Sequence, residues 1–188
     1  MAELRLLPDE LIDWVVELFE SVERLGRWPS ALCCPEGLLL PKAGDGSPMD
    51  RRPIWLLPML YRVWAAGRAQ LFARWRQSWL EGDGGHGAEE LAWELALELE
   101  AAEASAETIG GSALDWRKAF DHISLELLRP MLCRAGVPAW ILEPMLAAYS
   151  APRRLRVEGA LGQPWAPTSG ILPGCALAVF ALSVLVRP

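Results

Sequence analysis

The chain has 188 residues, 52% of them apolar, and a formal net charge of −6. That length allows one domain or two thin lobes with a sizeable core, and the acidic balance argues against a uniformly basic nucleic-acid binder. Cys33, Cys34, Cys133 and Cys175 show neither a C-x-x-C pair nor a His at metal spacing, so four reduced thiols in an intracellular protein are expected, nuclear or cytoplasmic.

In chain order, "PDELIDWVVELFESVERLG" predicts a first helix, with Leu11, Trp14, Val15, Leu18, Phe19, Val22 and Leu25 at helical spacing. A strand over Gly37–Leu40 is halted by Pro41 and released into a Gly/Asp/Pro loop. After "RRPIWLLP" a second helix is predicted over about Met59–Leu80, with Leu60, Val63, Trp64, Leu71 and Trp75 on one side. A glycine-rich break precedes a third helix over about Ala88–Ala104, stacking Leu91, Leu95 and Leu99. Then the period changes. "SALDW" reads as a short buried strand, "SLELLRPMLCRAG" as a helix with Ser124 as cap, and "VPAWILEPMLAAYS" as another helix. "RLRVEGALGQPWAPTSG" alternates like a hairpin turning around Glu158–Gly162. The longest apolar run, "ILPGCALAVFALSVLV", is shorter than the roughly 20 residues of a membrane span and carries Pro173 and Gly174. It is expected to be a core element, helical from about Ala176, and no membrane partner is expected. The start lacks the apolar stretch of a secretory signal.

Charge is unevenly placed. Arg51, Arg52, Arg62, Arg68, Arg74 and Arg76 fall in a stretch without a carboxylate, whereas Glu81–Glu107 holds nine carboxylates and no Lys or Arg. Either both runs are solvated helix faces, or the first is a basic lobe facing an anion, which "PRRLR" (Pro152–Arg156) could join.

Asp115 ends an apolar run, which puts its carboxylate at a sheet rim, and Asp121 follows beyond a tight turn. A helix cap or turn former is one reading of such an Asp. The chemical alternative is a ligand for a hard cation such as magnesium, which takes oxygen donors and substrate phosphates.

Here the residues carry a resemblance. "LDWRKAFDHIS" resembles the D-x-x-K-A-F-D catalytic motif of reverse transcriptases of the non-LTR retrotransposon and group II intron type. "LLLPKAGDGSPMDRRPIWLLPMLYRVWA" is similar to their fingers segment, "GHGAEELAWELALELEAA" to the helix before the first motif, and "SGILPGCALAVFAL" to the second palm motif. The order of the segments agrees as well.

The resemblance implies an α+β fold, with polymerase-like fingers over about 1–111 and a partial palm over about 112–188. Helices would pack on a small, incomplete antiparallel sheet. Asp115 would be the catalytic, metal-binding aspartate, and the carbonyl of Trp116 its neighbouring ligand. Phe120 would lie under the incoming sugar, excluding a 2′-hydroxyl and so selecting dNTPs; ordinary core packing is the alternative. Lys42 and Arg52 would grip the triphosphate, a point charge and a planar fork, and Gly174 would close the nucleotide-binding second motif. Lys118 and Asp121 belong to the first motif, with a surface salt bridge as the other reading.

The implied function is a fragment of an RNA-directed DNA polymerase. Its intact parent adds dNTPs to a DNA primer on an RNA template by two-metal phosphoryl transfer with Mg2+. Three departures bear on activity, one being that the family's thumb and downstream sheet strands are missing from these 188 residues. Pro173 stands where the family has Gln, and no Tyr/Phe-x-Asp-Asp motif occurs before Pro188, so a second set of metal-binding aspartates is missing. The 188 residues alone are therefore expected to be inactive. The alternatives are a non-catalytic helical interaction protein or a decayed retroelement remnant.

Overall fold

The computed structural model describes residues 7–40, 51–79, 88–111, 118–157 and 159–186. Among these the chain is mixed α+β, with seven α-helices and a four-stranded sheet. Two compact units divide it, one formed by Met1–Ala69 with Lys118–Pro188 and the other by Gln70–Arg117.

In the larger unit, β1 (Glu36–Leu40) pairs antiparallel with β2 (Arg52–Leu56), Leu38 opposite Ile54. β3 (Arg154–Val157) runs parallel to β1, Leu38 opposite Arg156, and turns into β4 (Ala160–Leu161). The order is β2-β1-β3-β4. The sheet is thus mixed, which corrects the expectation of an antiparallel one. The physical reason is the long excursion between β2 and β3, because a parallel pair needs a crossover rather than a hairpin. β2 itself is missed by the sequence reading, since Pro53 breaks its alternation. As an edge strand it tolerates that proline.

Five helices belong wholly to this unit: α1 (Asp9–Leu25), α4 (Ala119–His122), α5 (Leu125–Arg134), α6 (Ala139–Ser150) and α7 (Ala178–Val186). α2 (Met59–Trp79) begins here and α3 (Ala88–Ser105) lies in the smaller unit. Ser124 does stand just before α5, but its side chain makes no capping hydrogen bond. α4, a single turn, is not visible in the sequence pattern.

The core gathers where α1, α2 and α6 meet. Trp28 stacks edge-on against Phe19, Tyr61 and Trp64, with ring centroids 6.3, 5.5 and 5.6 Å apart. Its indole N–H donates to the carbonyl of Pro144 at 3.1 Å, so this large ring is buried without stranding its polar edge. Leu128 and Leu132 from α5, Ile141, Leu142 and Met145 from α6, and Ile171, Leu172 and Leu177 complete it. The C-terminal apolar run is a core element as anticipated, and no described helix is long and apolar enough to cross a membrane. The apolar stripe of α1 is only partly used: Val22 is buried, whereas Trp14 is 66% exposed and Leu25 55%. In the smaller unit Leu71 of α2 and Leu95 and Leu99 of α3 are likewise exposed, while Ala102 is buried. All four cysteines are unpaired.

Two substitutions test this packing. Leu132→Ala should cost about 2–5 kcal/mol in urea denaturation, through lost burial and the void left behind. The Tyr149 hydroxyl is buried without a hydrogen-bond partner among the described residues, so Tyr149→Phe should be neutral to within about 0.5 kcal/mol or stabilising. A large loss in Tyr149→Phe would contradict the account.

Candidate functional site

Two segments far apart in the chain, 118–125 and 168–171, meet through their backbones. Phe120 and Asp121 sit on α4, entered from Lys118, whose backbone is left-handed at φ 52° and ψ 45°. A positive φ is unfavourable for a lysine. It lets the chain turn at once, and the N–H of Asp121 bonds back to the Lys118 carbonyl at 2.9 Å. The segment 118–125 then zips onto 168–171. The N–H of Ile171 donates to the Phe120 carbonyl at 2.9 Å and that of Gly170 to Ile123 at 2.7 Å, while Leu125 N–H reaches the Thr168 carbonyl at 3.3 Å. Ser124 and Ser169 form an antiparallel bridge between them.

Gly170 is needed at this junction. Its φ is +91°, and a Cβ there would lie 3.2 Å from both the Asp121 carbonyl oxygen and Nη1 of Arg153. Gly174, also left-handed at φ +89°, is exposed and meets open space, so it serves the turn rather than close packing.

Among the described residues Arg153 is the charged side chain that the fold buries, at 5% exposure. One guanidinium nitrogen, Nη2, donates to the carbonyl of Tyr149 at 3.0 Å and to that of Gly170. The guanidinium stacks over Trp55 at 5.2 Å, and Trp55 packs on Trp165 at 6.0 Å. This stack requires Gly37 on the neighbouring strand, where a Cβ would come within 2.9 Å of the Trp55 ring and 2.8 Å of Leu155. Among the described residues no carboxylate lies within ion-pair distance of Arg153. Burial lowers its pKa from the ordinary guanidinium value, and the nearby charge of Asp121 opposes that shift.

Beyond the turn, Cys175 is buried, with its thiol 3.1 Å from the Tyr61 hydroxyl of α2. Burial, and next the neighbouring Cys175, push the Tyr61 and Tyr149 phenols well above their ordinary range. The stretch Gly170–Cys175 is therefore held at one end by Arg153 and at the other by Tyr61.

Of the residues singled out in sequence, Phe120 is half-buried on α4, directly before Asp121. Arg52 opens β2 opposite Leu40, the last residue of β1. Lys42, Asp115 and Trp116 lie outside the described residues. No three His, Cys, Asp or Glu side chains among the described residues converge to hold a metal ion. The basic clusters are more occupied than the sequence suggests. Arg68 pairs with Glu23 at 2.5 Å and lies over Trp140, and Arg156 pairs with Glu36 at 2.7 Å. Arg153 itself is the residue that sequence reasoning misses, because "PRRLR" reads as an addition to a basic lobe facing an anion. Strand alternation was the available signal: Arg153, Leu155 and Val157 share one side, opposite Arg154 and Arg156.

Comparison with protein-family models finds no match, and comparison with curated proteins finds none.

Two outcomes follow from the geometry. Gly170→Ala should destabilise the chain by roughly 1–3 kcal/mol, through left-handed strain and contact with the Asp121 backbone; an unchanged urea midpoint would count against it. The buried phenols give a pH dependence. Unfolded tyrosines ionise near pH 10, whereas the folded chain keeps both protons. Above about pH 10 the unfolded state therefore binds fewer protons and stability falls, by up to ~1.4 kcal/mol per pH unit for each phenol. Between about pH 9 and about pH 11 the parent should lose more stability than Tyr61→Phe/Tyr149→Phe; equal losses would show that these phenols are not the cause.

Proposed function

We propose that these 188 residues form the fingers and the first part of the palm of an RNA-directed DNA polymerase of the reverse-transcriptase type. The observation that carries the reading is the pairing of two motif segments far apart in the chain, Phe120 to Ile171 and Ile123 to Gly170, by backbone hydrogen bonds. The resemblance requires these two motifs to share one nucleotide site, and nothing in the sequence between them obliges them to meet.

In this reading the half-buried Phe120 ring is the floor under the incoming sugar and gives steric selection for dNTPs over rNTPs. Arg52, the first residue of β2, and Lys42 grip the triphosphate. Their charges act where phosphate oxygens gather, a planar fork for two oxygens and a mobile ammonium for one. Asp115 and the carbonyl of Trp116 would supply oxygen donors to magnesium, which in such enzymes activates the primer hydroxyl and neutralises the departing pyrophosphate. One carboxylate is too few for a pair of ions. A Tyr/Phe-x-Asp-Asp segment outside these 188 residues would have to supply the rest. Pro173 lacks the amide of the family's Gln, so contacts made through that side chain are not available.

A second reading, a non-catalytic helical interaction protein, draws on the exposed Leu11, Ile12, Trp14 and Val16 along the first half of α1, since clustered apolar exposure marks interfaces.

Primer extension on an RNA template separates the two. The 188 residues alone should incorporate no dNTP. Completed with palm and thumb residues carrying Tyr/Phe-x-Asp-Asp, they should extend a DNA primer in a magnesium-dependent way, and Asp115→Ala should reduce this roughly a thousandfold. Arg52→Ala should raise the dNTP KM about tenfold, as expected for loss of a charge-assisted bond. Phe120→Ala should raise rNTP use relative to dNTP by roughly tenfold or more. An inert completed chain favours the interaction protein, and incorporation by the 188 residues alone refutes the division of labour proposed here.

A further inference from the structure

The roles of Asp121 and of the arginines in "PRRLR" are left open by the resemblance, and the geometry around Gly170 joins them. We propose that Arg153 is a positioning residue that locks the Gly170 turn onto the Phe120–Ile123 segment, with the Asp121 carboxylate as its counter-charge.

The first ground is burial without a direct partner. A guanidinium at 5% exposure is costly unless its hydrogen bonds and charge are compensated. Here compensation comes from two backbone carbonyls and an aromatic face, and its Nε is left without a partner among the described residues. The second ground is which carbonyls are used. Tyr149 lies one residue from the end of α6, and Gly170 is the residue whose own N–H is already bonded to Ile123. Gly170 is thus held on both sides, its N–H by the first motif and its C=O by Arg153. The third ground is crowding: Nη1 of Arg153 and the backbone of Asp121 lie at contact distance from the same point above the Gly170 Cα. Asp121 is therefore adjacent to the lock and is the carboxylate whose field acts on the guanidinium. A lysine would keep the charge but lose the rigid fork and the planar stacking on Trp55.

That the locked turn lies against a nucleotide rests on the polymerase reading; the lock itself does not. Amide hydrogen exchange of the 188-residue chain reads it directly, whatever primer extension gives. In Arg153→Met the Gly170 and Ile171 amides should exchange roughly tenfold faster or more, while the α6 amides of Leu146 and Tyr149 keep their protection. Arg153→Lys should recover part of the protection. Asp121→Asn should accelerate the same two amides in the parent and add nothing in Arg153→Met, the non-additivity of a coupled pair. Equal acceleration at Gly170 and in α6 would reduce Arg153 to a general scaffold residue and overturn the proposal, as would unchanged exchange. An undiminished Asp121→Asn effect in Arg153→Met would remove Asp121 from it. Should Arg153→Met fail to fold, Arg153→Lys and Asp121→Asn decide alone: the Gly170 and Ile171 amides must open in both, and protection kept in either overturns the lock.

Discussion

A single guanidinium sealed among a helix end, a tryptophan face and a glycine turn sets the layout of the larger unit. Arg153 immediately precedes β3 and exchanges backbone hydrogen bonds with Trp165 on the returning arm, at 2.9 and 3.0 Å. Its side chain reaches the far end of α6 and the Gly170 turn. The sheet, the helical layer and the turn that joins the two motifs are thus referred to one residue. Apolar side chains of similar size would fill the volume but could bond neither carbonyl. The cost of burying a charge is exchanged for a fixed relation between segments that are distant in sequence.

The same pattern recurs at lower stakes across this unit. Glu23 on α1 accepts from the Trp64 indole at 2.7 Å and pairs with Arg68, tying α1 to α2. Arg129 on α5 forms a forked pair with Glu143 on α6, an exposed contact of small energetic weight. Arg156 joins β3 to β1 through Glu36. An arginine-rich composition that reads as a basic surface is, in good part, a set of internal ties. Any polyanion that the chain meets must therefore be recognised by fewer free cations than the sequence advertises.

Long helices and the β3–β4 hairpin were legible because periodicity and turn residues act locally. The pattern from Asp9 to Leu25, the four-residue stacking of α3 and the alternation of "RLRV" each declare an element without reference to the rest. Less legible was anything set by tertiary contact. β2 contains a proline and gains strand character from β1 beside it, and α4 is one turn stabilised by the left-handed Lys118 and by pairing with residues 168–171. The parallel pairing of β1 with β3 follows from topology, which no local pattern encodes. Burial was misjudged in both directions. Trp14 and Leu71 lie on apolar stripes yet face solvent, and Arg153 lies in a charged cluster yet is buried. Of the candidate site, Phe120, Gly170 and Gly174 could be picked out from short local stretches of sequence. The arginine that holds them could not, because its environment is assembled from three separate elements.

The parallel register of β1 and β3 also bears on biogenesis. β1 and β2 leave the ribosome together, but Arg154, the partner of Glu36, follows more than a hundred residues later. At a synthesis rate of about 5–20 residues per second that interval lasts on the order of ten seconds. Throughout it, one side of β1 offers unsatisfied amides and carbonyls, a template for any passing strand. The nascent chain is then most open to mispairing well before its last helix is made, and a holding chaperone would act most usefully on the stretch that ends at Leu56.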